Sequence, residues 1–305
     1  MSAAPYHVPV LAREVAALAT GRGRVVDGTV GGGGHTALFL EAGATVMAID
    51  RDPEALHAAT ERLKTKGVKW LNTRFAAPEA LAAVRAFRPD LILLDLGVSS
   101  RQLDHDARGF SFRPGVPLDM RMHSGQGATA AELLNQLTED DLARVFRDFG
   151  DERHWRKLAR VVSRRRRRGP FHTADDLVNA IRETLGPTSG PPDFARLFQA
   201  VRMAVNRELE ELEEALPMML DGLVPEGILA VITYHSGEDR VVKHLFREWA
   251  RSCVCPPHQP VCTCRGHALG ARDPRKPIAP SAAEIADNPR ARSAKLRIFR
   301  KARAG

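Results

Sequence analysis

The chain has 305 residues, 44% of them apolar, and its 45 Lys and Arg outnumber 37 Asp and Glu to give a net charge of +8. That length accommodates two ordinary domains or one domain with a large insertion, and no run reaches the roughly 20 apolar residues of a membrane span, so no membrane-spanning helix and a cytoplasmic location are expected. The positive charge is concentrated, with nine Arg or Lys in residues 153–168 and seven in 288–305, neither stretch holding an acid; this points to a polyanionic partner such as nucleic acid.

In chain order, Arg24-Val25-Val26-Asp27 reads as a short buried parallel strand that ends in an acid and opens into Gly31 to Gly34. Glycines let backbone approach a ligand closely and adopt φ > 0. Two ligands fit the spacing. Gly32-x-Gly34-x-x-Ala37 matches the dinucleotide fingerprint, and Asp27-x-x-x-Gly31-x-Gly33 matches the acid-and-glycine pattern of S-adenosylmethionine (SAM) enzymes. The carboxylate ahead of the loop favours SAM, because it repels a diphosphate and attracts an ammonium or a sulfonium. An NAD(P)-dependent oxidoreductase stays open on the glycines alone.

A helix-like stretch over 36–42 leads to a second strand, Thr45–Asp50. Its last residue stands where an acid accepts both ribose hydroxyls of an adenosine-containing cofactor. A helix over Pro53–Lys64 and a strand over Leu91–Asp95 follow, so the N-terminal third reads as a Rossmann-like βαβαβ half with ligand groups at the carboxyl ends of its strands. Asp95 opens Leu96-Gly97-Val98-Ser99-Ser100-Arg101-Gln102, a loop placed to line the pocket where a transferred group meets its acceptor.

From about Asp106 to Phe194 the strand rhythm gives way to polar, Arg-rich helical segments punctuated by Gly169-Pro170 and Gly186-Pro187, which reads as a helical insertion. Phe198, Val201, Val205, Leu209, Leu212 and Leu216 then predict one long amphipathic helix returning to a strand at Gly227–Thr233. His235-Ser236-Gly237-Glu238-Asp239-Arg240 follows that strand, and Leu296–Phe299 predicts an edge strand closing the sheet. All four cysteines fall in Cys253-x-Cys255-x6-Cys262-x-Cys264, flanked by His258 and His267. In a reducing compartment that suggests thiolate ligands for zinc ahead of disulfides, although the spacing is tighter than a standard finger and an inert or redox-labile loop stays open.

The motifs taken together resemble a known family. They are His7-x-Pro9-Val10-Leu11, Asp27-Gly28-Thr29-Val30 running through Gly34-His35, Ile49-Asp50-Arg51-Asp52-Pro53, Leu94-Asp95-Leu96-Gly97-Val98-Ser99-Ser100-x-Gln102-Leu103-Asp104, Arg108-Gly109-Phe110-Ser111-Phe112, Pro117-Leu118-Asp119-Met120-Arg121-Met122, Phe198-Gln199-Ala200-Val201-Arg202, His235-Ser236-x-Glu238-Asp239-Arg240 and Asn288-Pro289-Arg290-Ala291-Arg292-Ser293. In this order, over nearly the whole chain, they are similar to the MraW family of bacterial 16S ribosomal RNA (cytosine-N4)-methyltransferases. Two departures are local: Gly237 stands where the family usually has leucine, and the run Arg164 to Arg168 is richer than usual.

The resemblance implies an α/β fold: a Rossmann-like SAM-dependent methyltransferase sheet, formed by residues 1–105 and 205–305, with an inserted all-helical substrate-recognition domain over 106–204. It implies SAM-dependent methylation of the exocyclic N4 of one cytidine in the decoding region of 16S rRNA, within the small ribosomal subunit, and no metal in the chemistry. Carried onto this sequence, the cofactor contacts are Gly33, Gly34, His35, Asp50, Phe75, Asp95 and Gln102, with a core phenylalanine the alternative for Phe75. Oxygen acceptors from Asp95, Ser99 or Ser100 are expected to hold the amino hydrogens of the base, with His235 or Asp119 completing the pocket, and Asp95 ranks first because of its strand end. A non-catalytic RNA-binding assembly factor would need only the basic faces, and monomer and homodimer both stay open.

Overall fold

The computed structural model describes residues 9–64, 67–99, 102–103, 105–123, 125–256, 259 and 261–303. Seven strands, β1 (Arg24–Asp27), β2 (Thr45–Asp50), β3 (Val68–Asn72), β4 (Leu91–Asp95), β5 (Ile228–Thr233), β6 (Gly270–Arg272) and β7 (Lys295–Lys301), form one sheet in the order β3-β2-β1-β4-β5-β7-β6. The first five are parallel, and β7 runs antiparallel between β5 and β6. The order reverses between β1 and β4, which pair with Val25 beside Leu91 and Asp27 beside Leu93. Successive connections leave this point in opposite directions, so the carboxyl ends of β1 and β4 border a crevice.

Successive side chains of a strand point to opposite faces, and here both faces are covered. Val25, Val46, Leu91, Leu93 and Ile232 join one apolar layer with Val15 of α1 (Ala12–Ala19), Phe39 of α2 (Gly34–Glu41) and Leu56 of α3 (Pro53–Leu63). Their neighbours Val26, Met47, Ile92, Leu94 and Val231 join the other, with Val84 from the helix at Pro78–Phe87, Leu216 from that at Glu208–Gly222 and Phe246 from that at Ser236–Trp249. Burial on both faces is why these strands are continuous apolar runs.

The chain divides into two compact units, one formed by residues 1–97 with 209–305 and the other by 98–208. The second is helical, with helices at Ala130–Gln136, Glu139–Arg144, Trp155–Arg166, Ala174–Leu185 and Pro191–Asn206. Its own core includes Leu134, Phe146, Leu158, Phe171, Ile181 and Leu197. No helix among the described residues is long and apolar enough to cross a membrane.

Two expectations are corrected. The single helix across residues 198–216 is two helices, because Arg207 takes a left-handed φ of 51° between them. Asn206 fixes the first helix end by donating to the Met120 and Arg202 carbonyls and accepting from the Met122 N–H, while Arg202 pairs through two nitrogens with Glu208. Apolar spacing continues across the break, so periodicity does not reveal it. The apolar segment at 296–299 is interior to the sheet, and the edge is β6, three residues with no apolar run to announce them.

Candidate functional site

The turn after β1 is built from within. Asp27 is 0% exposed; its carboxylate accepts the Thr36 hydroxyl at 2.6 Å and the Thr29 N–H at 3.3 Å. Burial pushes its pKa up, and the Thr36 bond works against that rise. Asp27 therefore braces the loop and offers no open charge to an ammonium or sulfonium, which corrects the electrostatic role its position suggests. Gly31 and Gly33 take φ of 50° and 76°, a region glycine enters without a Cβ clash. Gly33 also lies so near α3 that a Cβ there would sit 3.2 Å from that of Ala59. Gly34 begins α2 close to Pro9, and His35 follows it, 4% exposed.

At the end of β2, Asp50 reaches back to that loop. One carboxylate oxygen accepts the Gly31 N–H at 2.7 Å and the other accepts the Asp52 N–H at 2.8 Å. A carboxylate has about four lone-pair sites, so each oxygen retains capacity for a ligand hydroxyl. Desolvation raises its pKa to about 6, although both N–H bonds favour the charged form. The next residue, Arg51, pairs with Glu211, which is 2% exposed and also receives Arg74 at 2.9 Å. Two guanidiniums thus neutralise one buried acid and tie the β2 turn to the helix at Glu208–Gly222.

At the end of β4, Asp95 makes three contacts. Its N–H donates to the Thr29 hydroxyl at 2.6 Å, its Oδ1 accepts the Tyr234 hydroxyl at 2.8 Å, and its Oδ2 lies 3.4 Å from His35 Nε2. Neither ring nitrogen of His35 has a hydrogen-bond partner among the described residues. Burial and then the Asp95 charge raise the Tyr234 pKa well above its ordinary value, so the phenol stays a donor. His35, Asp50 and Asp95 are therefore set around the carboxyl ends of β1, β2 and β4. His235 caps the helix at Ser236–Trp249: its Nδ1 accepts the Glu238 N–H at 3.3 Å, and its Nε2 is 3.1 Å from Glu238 Oε1. Phe75, 8% exposed, belongs to the apolar layer with Met47 and Ile49.

The other candidates lie in the helical unit. Ser99 and Gln102 bond reciprocally, Gln102 N–H to the Ser99 hydroxyl at 3.2 Å and Ser99 N–H to Gln102 Oε1 at 3.0 Å, the pattern of a capping box. Asp119 is held by Arg121 through two bonds of 2.8 Å. Burial alone would raise the Asp119 pKa, but these bonds outweigh it and hold the carboxyl below its ordinary range, so it is a weak proton acceptor. Ser100, like His7, Asp104 and His258, lies outside the described residues.

The basic run is less free than its sequence implies. Arg164 and Arg165 pair with Glu183 of a neighbouring helix, Arg166 donates to the Leu134 and Leu137 carbonyls, and Lys157 donates to the Thr184 carbonyl. Arg156 stacks 3.9 Å over the Trp155 ring. Among the described residues no ion pair engages Arg153, Arg167 or Arg168.

Reading the sequence misses Thr29, Glu211 and Tyr234. Tyr234 was within reach, as the residue that follows Thr233, the last of the strand beside β4. Glu211 was not, because it lies among Glu208, Glu210, Glu213 and Glu214 with nothing to mark it as the buried one.

The model of the MraW methylase family matches residues 4–302. A ribosomal RNA small subunit methyltransferase H from Gemmatimonas aurantiaca is 54% identical over 301 residues, covering 97% of this chain and 96% of that protein. Proteins of the same name from Heliobacterium modesticaldum and Syntrophotalea carbinolica are 43% and 45% identical, over 98% and 90% of this chain and 99% and 91% of theirs. A match over nearly the full length, joined to the β1 loop and the acids ending β2 and β4, establishes that this chain belongs to the MraW methylase family of SAM-dependent methyltransferases.

Proposed function

We propose that the chain methylates the exocyclic N4 of one cytidine in the decoding region of 16S rRNA, within the small ribosomal subunit in the cytoplasm. The relatives' names support the RNA class. The observation that carries the reading is Asp95, a partly exposed carboxylate at the strand end beside the switch point, oriented by a tyrosine that keeps its proton. Methylation at a pyrimidine ring carbon ordinarily needs a covalent nucleophile such as cysteine. An oxygen acceptor at the end of β4 suits an amine, which needs a proton acceptor and no covalent nucleophile.

Bound SAM supplies an electrophilic methyl group on a sulfonium. Asp50 would hold its ribose, the Gly31–His35 turn would lie along it, and the apolar layer at Phe75 would flank its adenine. The cytosine amino lone pair is delocalised into the ring, so the amine is a poor nucleophile and alignment carries much of the work. Asp95 would accept one N4 hydrogen, favour a pyramidal nitrogen and take the proton as the new bond forms. A base within a duplex cannot reach a strand end, so the cytidine must be splayed or flipped out. Basic side chains such as Arg167 and Arg168 would contact RNA phosphates.

Incubating the protein with methyl-labelled SAM and small subunits that lack the modification tests the reading. Label should enter 16S rRNA. SAM binding without incorporation into any RNA would favour the assembly-factor alternative, and NADH binding would favour the oxidoreductase.

Two further results are expected. Ribose hydroxyls donate to the ionised form of Asp50, so protons compete with SAM: affinity should stay level above neutral pH and weaken as pH falls through about 6, by about tenfold per unit below it. Calorimetry on the parent and on Asp50→Asn, which should lose the slope, checks this; a flat parent profile contradicts it. The second concerns RNA grip. Substituting Arg167 and Arg168 with Gln should reduce the log–log salt slope of rRNA binding by up to about 2, since each phosphate contact contributes about 0.9 or less. SAM affinity should not change. An unaltered slope would place the RNA contact elsewhere.

A further inference from the structure

The connection from the helix at Ser236–Trp249 to β6 brings all four cysteines together. The Sγ atoms of Cys253, Cys255, Cys262 and Cys264 lie within 4.8 Å of one another. Cys262 Sγ is 3.9 Å from Cys253, 3.8 Å from Cys255 and 3.5 Å from Cys264. A disulfide requires about 2.05 Å. Four thiolates around one zinc at about 2.3 Å stand roughly 3.8 Å apart, the edge of a tetrahedron of that radius. The three distances bracket this value.

Among the described residues no apolar core cluster includes these sulfurs. No described residue between 251 and 269 is buried, and Val261 is 70% exposed. The ends of the loop are anchored: the Leu269 N–H donates to the Trp249 carbonyl at 2.8 Å and Arg265 donates to the Glu248 and Arg251 carbonyls. Within it, the Val254 N–H points at Cys264 Sγ at 3.4 Å, the kind of outer-shell bond that steadies a metal-bound thiolate. Four polar, ionisable sulfurs converging without a core is the arrangement a metal ion stabilises.

We propose that Cys253, Cys255, Cys262 and Cys264 bind one structural zinc ion. Four protein sulfurs fill a tetrahedral shell and leave no position for water or substrate, so the ion is structural and takes no part in methyl transfer. Its effect is to close an otherwise coreless loop directly before β6, the edge strand that pairs with β7. Binding displaces thiol protons and leaves every sulfur oxidation state unchanged.

The test uses the full chain, purified without chelators or immobilised-metal columns. Elemental analysis should find one zinc per chain, the four thiols should resist a disulfide reagent until a chelator is added, and cobalt exchanged into the site should show tetrahedral thiolate absorption. Cys262→Ser should lower zinc content by about tenfold or more and open residues 251–269 to protease, with SAM affinity unchanged. Should that variant not fold, chelator-stripped parent protein should show the same protease sensitivity and lose it on adding zinc. Zinc near zero with four freely reactive thiols overturns the proposal, as does iron with acid-labile sulfide or a disulfide between any two of the four.

Discussion

Asp50→Ala is expected to weaken SAM binding by about ten- to a hundredfold, the loss of a charged acceptor worth about 1.5 to 3 kcal/mol. Two effects combine in that variant. The ribose loses its acceptor, and the Gly31 and Asp52 N–H groups lose the carboxylate that holds the glycine turn to β2. Asp50→Asn separates them, since it keeps the shape and one acceptor oxygen while removing the charge, and should fall between Ala and the parent. The fold itself should not suffer from loss of the charge. A carboxyl whose folded-state pKa is raised to about 6 costs stability above that pH and relieves it below, so at neutral pH the uncharged Asn variant should melt no lower than the parent through this effect. Calorimetric titration with SAM, beside thermal unfolding without it, measures both; affinity within a few-fold of the parent for Asp50→Ala contradicts the assignment.

Asp95→Ala should behave in the opposite way. Single-turnover methyl transfer at saturating SAM is expected to fall by about a hundred- to ten-thousandfold, the range for loss of a positioned proton acceptor, with SAM affinity changed only a few-fold. Tyr234→Phe should cost roughly tenfold in the same rate, since it removes one hydrogen bond to Asp95 Oδ1 and leaves the carboxylate in place. Transfer rates that stay near the parent's in Asp95→Ala would move the acceptor elsewhere. Ser99 and Asp119 are weaker alternatives, the one engaged with Gln102 and the other with Arg121.

The legible parts of this molecule share a physical cause. A buried parallel strand is an unbroken apolar run, and an acid at its end marks the rim where ligands sit, so β1, β2, β4 and β5 with Asp50 and Asp95 stand out in one dimension. β3 and β6 do not, because they lie at the sheet edges: Val68-Lys69-Trp70-Leu71-Asn72 is only partly buried, and β6 spans three residues. The break at Arg207 is invisible because the bonds that fix it come from Met120 and Met122, more than eighty residues away in the chain. Charge misleads for the same reason. Residues 153–168 contain no acid, yet Glu183 supplies one to both Arg164 and Arg165. Asp27 presents the converse, an acid whose spacing suggests a ligand contact and whose burial makes it a brace.

The most direct test of the central claim is the identity of the modified nucleoside. Small subunits lacking the modification, treated with the protein and methyl-labelled SAM, should yield on complete digestion of their 16S rRNA a single labelled species, N4-methylcytidine, from one position in the decoding region, and Asp95→Ala should remove it. Label in 5-methylcytidine, in a methylated purine or in a ribose methyl group would contradict an amine acceptor at the end of β4.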